Sequence, residues 1–200
     1  MAAVKLDPSA LKKIRSEQAF TMPLFGLLGV ACVLSGLGSY IWFGREFDWT
    51  WEIFWKSGIV GSLLMAGGWI GATGIAFAIL HQKNASITFS EIARVGSLAS
   101  VPLALGFFAF IPHIGFGFGL LAAVLAGAFF ALALQSAFDL PPFQTAMATA
   151  PGLALWCLVL PLFVSNANPF GAGIFGLSWG DVAITGLMNS IQSAFRGFSF

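Results

Sequence analysis

Charge is scarce in this chain. Lys, Arg, Asp and Glu make up 8% of 200 residues, and nine cations against eight anions leave a formal net charge of +1. Such a sequence has no electrostatic field with which to hold a polyanion, so nucleic acid is excluded as a partner. Cysteine is rarer still: Cys32 and Cys157 lie in separate apolar runs, where a thiol acts as a small hydrophobe and not as a redox or metal group. No pairing of nucleophile with base, and no spaced set of metal ligands, suggests an enzyme. The long apolar runs carry no ionisable residue at mid-depth, which argues against the proton and ion pathways that buried charges normally mark in membranes.

What fills the chain instead is apolar. Hydrophobic residues reach 58%, with 22 Phe and seven Trp, and the mean hydropathy is +0.90. These values do not fit a soluble domain and do fit a chain solvated by lipid. The expected fold is all-α: a polytopic integral membrane protein with five transmembrane helices and an amphipathic interfacial helix at each end. Residues 1–20 form the N-terminal amphipathic part, 21–164 the transmembrane domain, and 165–200 a Gly/Asn-rich loop with a C-terminal amphipathic helix. The first apolar run is too long for a secretory h-region and follows Asp7 and Glu17, so it reads as a retained anchor.

Asp7-Pro8 opens the N-terminal helix, because Asp accepts from free amides and Pro tolerates the first turn. Leu11, Ile14 and the stem of Arg15 then share a face flanked by Lys12 and Lys13, a pattern suited to an anionic leaflet. The five spans are placed at about 21–43, 53–80, 89–110, 116–138 and 145–164, each long enough for a hydrocarbon core of roughly 30 Å. Between the first two, Arg45, Glu46, Asp48 and Glu52 sit among Tyr40, Trp42, Phe47, Trp49, Trp51 and Trp55, the aromatics that settle at headgroup level. Lys56 is near enough to the start of span two to snorkel. Thr88-Phe89-Ser90-Glu91 is a capping box opening span three, and Pro102 should kink that span. Residues 111–115 make a tight hairpin to span four, Asp139-Leu140-Pro141-Pro142 ends it, and Pro151 and Pro161 interrupt span five. Beyond residue 165, Ile184, Leu187, Met188, Ile191 and Phe195 oppose Thr185, Asn189, Gln192 and Arg196, giving an interfacial helix, with a sixth crossing as the competing reading.

Lys5, Lys12, Lys13, Arg15, Lys83 and Arg94 fall on one side of five crossings, and Arg45, Lys56 and Arg196 on the other. The positive-inside rule then puts the N-terminus in the cytoplasm and the C-terminus outside, in the cell's inner (plasma) membrane.

Two stripes of small residues stand out. On span four, Gly119, Ala123, Gly127 and Ala131 recur every fourth position and lead to Gln135; span two carries Gly67, Gly71 and Gly74. In lipid, helices associate through such close contacts and through interhelical hydrogen bonds, for which Gln135 is placed. The stripes serve either packing within the chain or docking of other membrane subunits. His81 and His113 are the candidate axial ligands for a pigment, although neither lies at mid-membrane and no second ligand is spaced to help. Gly171-Ala172-Gly173-Ile174-Phe175-Gly176 spells a dinucleotide fingerprint but lacks the strand and helix that give it meaning.

The pattern of Leu6-Asp7-Pro8-Ser9, Thr88-Phe89-Ser90-Glu91-Ile92-Ala93-Arg94-Val95-Gly96, Pro102, Ile111-Pro112-His113-Ile114-Gly115 and Ala137-Phe138-Asp139-Leu140 resembles bacterial members of the Yip (Ypt-interacting protein) family. That resemblance runs to about Val164 and implies five helices, a cytoplasmic N-terminus and an exterior C-terminus. Eukaryotic relatives are membrane adaptors for Rab-type GTPases, but their Asp-Leu-Tyr-Gly-Pro run and Gly-Tyr pair are absent here, so GTPase recruitment and site residues do not carry over.

The function expected from these observations is that of a non-enzymatic scaffold or accessory subunit of a larger membrane complex. The alternatives are a pigment- or lipid-binding subunit of a photosynthetic or respiratory complex and a small-solute pore or transporter. No cofactor is required by the first reading; (bacterio)chlorophyll, carotenoid or bound lipid would accompany the second.

Overall fold

The computed structural model describes residues 7–47, 49–111 and 115–159. His113, residues 160–164 of the fifth expected span, the fingerprint-like run at 171–176 and the C-terminal amphipathic segment lie outside the described residues. All regular structure among the described residues is helical.

Helix α1 (Pro8–Ser16) begins where the sequence predicts, with the Asp7 carboxylate accepting from the Ser9 amide at 2.9 Å and Pro8 in the first turn. These hydrogen bonds hold the Asp7 carboxyl below its ordinary range. Its apolar side chain Leu11, 2% exposed, enters the bundle, and α1 packs against α5 and α6.

Helix α2 (Thr21–Phe47) has 27 residues, about 40 Å at the α-helical rise. The Thr50 hydroxyl then accepts from Ile53 N–H at 3.2 Å and starts α3 (Trp51–Ile53). A π-helical stretch, Phe54–Val60, joins α3 directly to α4 (Gly61–Lys83). The second span is therefore continuous from Trp51 to Lys83, longer at both ends than the apolar run alone indicates. Lys56 is held by Glu52 one turn earlier.

Helix α5 (Phe89–Ala99) opens on the expected capping box, with Glu91 accepting from the Thr88 amide at 2.8 Å. At Pro102 the span changes character without breaking: Val101–Phe110 continues as a 3-10 helix. Proline brings no N–H, and the chain tightens to i→i+3 bonding, as in Leu103 N–H to Ser100 O at 2.8 Å. Rising about 2.0 Å per residue, this stretch reaches about 5 Å further than ten α-helical residues would.

Helix α6 (Gly115–Phe138) ends in a left-handed residue, Asp139 at φ 52°, and the Leu140 amide reaches back to Gln135 O at 3.1 Å. This is a Schellman ending, with Asp in the place usually given to Gly. Helix α7 (Pro142–Val159) contains Pro151 and lies between α4 and α6.

Four of these segments are long and apolar enough to cross a membrane: Gln18–Arg45, Trp51–Lys83, Phe89–Phe110 and Phe118–Phe138. Large hydrophobic side chains stand on the outside of the bundle, among them Val30, Leu63, Val124 and Leu132, as lipid contact requires and water does not favour. The core is centred on Trp69, 1% exposed. Its ring meets Trp156 edge-on at 5.5 Å and Phe130 at 5.6 Å, and its Nε1–H donates to Gly96 O at 3.0 Å. One side chain of α4 thereby ties α5, α6 and α7 together.

Candidate functional site

The two small-residue stripes have different surroundings. On α4, a Cβ built on Gly67, Gly71 or Gly74 meets nothing within 4 Å among the described residues, whereas one on the adjacent Gly68 would collide with the Trp156 ring. Helix α7 crosses α4 so closely that a Cβ on Gly152 would lie 2.6 Å from Ala72 O. The two faces of α4 thus have separate duties: Gly68 and Ala72 receive α7, and Gly67 and Gly71 are left exposed beside it. Between them runs an apolar groove of about 470 Å³, lined by Leu63, Gly67, Gly71, Ile75, Leu155 and Trp156 among others.

On α6, Gly119 is buried and Ala123, Gly127 and Ala131 are half-buried. Gly127 receives the Leu153 side chain of α7, whose Cδ1 would stand 3.2 Å from an added Cβ. The helix's most deeply buried face is the neighbouring one, through Ala126, Phe130, Ala133 and Ala137. Gln135 is half-buried; its backbone carbonyl takes the Leu140 amide, and its side chain makes no hydrogen bond among the described residues.

His81 sits in the last turn of α4, exposed, with its ring 5.0 Å from that of Phe77. Its Nδ1 lies 3.0 Å from Ile87 O, which accepts a hydrogen bond from it. Twelve residues separate His81 from Trp69 along the helix, about 18 Å at the α-helical rise, so it stands away from the core around Trp69. Among the described residues no three His, Cys, Asp or Glu side chains come together as a metal site.

The polar chemistry gathers at the α1 end of the bundle. Arg15 donates through Nε to Glu91 at 2.9 Å and through Nη1 to Ala137 O at 3.2 Å, with its guanidinium 4.2 Å over the Phe138 ring. Arg94, 3% exposed, donates to the backbone carbonyl of Arg15 and to Thr21 Oγ1 at 3.2 Å. Lys12 pairs with Asp139 at 2.7 Å, both well exposed. Sequence alone marks Glu91 as a cap and Arg94 as a loop-side charge; that both grip α1 depends on the tertiary fold, and the only hint is an Arg in an amphipathic helix facing an acidic capping box.

At the opposite end of α2 the aromatics cluster. Tyr40 meets Trp49 and Phe54 edge-on, each at 5.2 Å, while Trp49, Trp51 and Trp55 stay exposed, as befits side chains at a headgroup boundary. Comparison with protein-family models, with curated proteins and with solved structures finds no match to this chain.

Proposed function

We propose that this chain is a non-enzymatic membrane scaffold or accessory subunit, and that the Gly67/Gly71/Gly74 face of α4 is where a transmembrane helix of another subunit docks. One observation carries the reading: a Cβ built on any of three glycines at helical spacing would meet nothing within 4 Å among the described residues, although one on Gly68, between them, would run into Trp156. In the helix interior glycine costs roughly 0.5–1 kcal/mol relative to alanine, so a stripe on which no described residue packs has no return from the described bundle. A second helix approaching backbone to backbone supplies one. Lipid tails offer no comparable gain, because they pack as well on alanine or leucine.

In this proposal α7 forms a fifth crossing, completed by residues 160–164, with the N-terminus cytoplasmic and the C-terminus exterior in the inner membrane. Kinship with the Yip family belongs to the same proposal and rests on the sequence pattern.

The test is capture in the source membrane. A photo-crosslinking residue at position 71 should yield a discrete adduct with a second polypeptide, and Gly71→Leu should abolish co-purification without lowering the yield of folded protein. Wild-type protein that migrates alone after gentle extraction, with adducts only to lipid or to its own residues 160–200, would sink the reading.

A further inference from the structure

A recess of about 260 Å³ opens at the α1 end of the bundle, lined by Arg15, Leu80, Lys83, Asn84, Ile87, Phe138, Leu140 and Gln144. We infer that it binds the phosphate group of an anionic phospholipid, with Lys83 and Arg15 as the cationic contacts and Asn84 and Gln144 as the neutral ones.

Three features point to that chemistry. The first is charge. Two cations and no carboxylate line the recess; Arg15 is balanced by Glu91, but Lys83 has no counter-ion among the described residues, so the lining keeps a net positive charge. The nearest exposed acid, Asp139, is already taken by Lys12 at 2.7 Å.

The second is the supply of donors. Arg15 uses Nε and Nη1 on Glu91 and Ala137 O, and its Nη2 makes no hydrogen bond among the described residues. Gln144 is the third residue of α7, in the turn whose amides have no intrahelical acceptor and whose dipole favours an anion. The amide side chains of Asn84 and Gln144 can serve the ester oxygens or the hydroxyls of a headgroup.

The third is position. The recess is built from the last turn of α4, the end of α6 and the first turn of α7, where the apolar spans stop. Leu80, Ile87, Phe138 and Leu140 give it an apolar wall beside the polar one. A ligand that is anionic at one end and hydrocarbon at the other matches both walls; free phosphate would match only one. The recess shares no lining residue with the groove beside the open glycine face, so this inference stands apart from the docking proposal.

The experiment uses full-length protein, delipidated in a neutral detergent, with lipid binding read by native mass spectrometry. Phosphatidylglycerol should bind at least tenfold more tightly than phosphatidylcholine, and Lys83→Glu should remove that preference. Lys83 is exposed and outside the core, and size-exclusion profiles will verify that the variant folds. Gln144→Leu, which leaves all charges in place, should weaken phosphatidylglycerol binding by several-fold. Lys13→Glu is the charge-matched control, since Lys13 lies outside the recess, and it should leave the preference intact. Equal losses in Lys13→Glu and Lys83→Glu would overturn the site in favour of general surface charge. Competition by inorganic phosphate or glycerol phosphate as effective as the whole lipid would overturn the assignment to a phospholipid.

Discussion

Arg94 donates from its guanidinium to the backbone carbonyl of Arg15, through Nε at 3.1 Å and through a second nitrogen. Two like-charged residues are in contact because only one of them presents its charge: the Arg15 side chain turns away to Glu91, and its carbonyl belongs to the last turn of α1. Carbonyls there have no intrahelical donor and carry the negative end of the helix dipole. A buried guanidinium serves that end better than a lysine could, since its planar fork supplies two donors to one oxygen. Glu91 and Arg94, one turn apart on α5, thus hold the side chain and the main chain of the same residue.

Arg94→Ala should release α1 from the bundle. Hydrogen bonds to charged groups are worth about 1.5–3 kcal/mol each, and the carbonyl left behind would be buried without a donor. Trypsin cleavage after Arg15 reports the opening, as the rate of cutting follows the open population when reclosing is fast. Cleavage within α1 in detergent, after Lys12, Lys13 or Arg15, should accelerate at least tenfold in Arg94→Ala, and also in Glu91→Gln, while cutting after the exposed Lys83 keeps its wild-type rate. An unchanged rate would mean that Leu11 alone seats the helix.

The glycines of α4 and α7 predict opposite signs for one chemical change. Gly152→Ala places a methyl 2.6 Å from Ala72 O and 2.9 Å from Ala72 Cα, and overpacking of this kind costs about 1–3 kcal/mol. For a chain of this size the unfolding midpoint should fall by about 3–10 °C. Gly71→Ala meets nothing within 4 Å among the described residues and gains helix propensity, so its midpoint in detergent should hold or rise by about 2–4 °C. Equal shifts in the two variants would contradict the open face.

How much of this could be read beforehand varies with the range of the interaction. The caps at Asp7 and Thr88/Glu91, the breaks at residues 84–87 and 139–142, and the aromatic boundary at 40–55 follow from local chemistry and are visible in the sequence. The four long apolar helices follow from length and apolarity. What the sequence leaves open is which side of a small-residue stripe is covered. Gly67 and Gly68 are adjacent and chemically identical, yet only Gly68 faces Trp156, because that choice depends on the rotation of α4 against α7. The conversion to a π-helix after Ile53, and to a 3-10 helix after Ser100, is likewise a tertiary outcome: Pro102 announces a disturbance, but α2 decides its form.

That last point is testable at Gly38. The 3-10 stretch packs on α2 backbone to backbone, so that a Cβ on Gly38 would stand 2.7 Å from Phe107 Cα and collide with the carbonyls of Gly106 and Phe107. A 3-10 helix of ten residues is longer than its hydrogen-bond geometry favours; this one is held by the fit to α2 on one side and to α6 on the other. Gly38→Ala should pry the stretch away, at a cost of about 1–3 kcal/mol, and the effect should stay local because α6 is also seated in the core through Ala126 and through Phe130, whose ring packs on Trp69 of α4. Peptide-level hydrogen–deuterium exchange reads this directly. Residues 101–110 should exchange at least about fivefold faster, in line with a 1 kcal/mol loss, while residues 122–137 keep wild-type protection. Gly26→Ala, on the open side of the same helix with nothing within 4 Å among the described residues, should change neither. Faster exchange across α6 as well would show that the 3-10 stretch and α6 open as one unit, and uniform protection in Gly38→Ala would show that the contact with α2 does not hold the stretch.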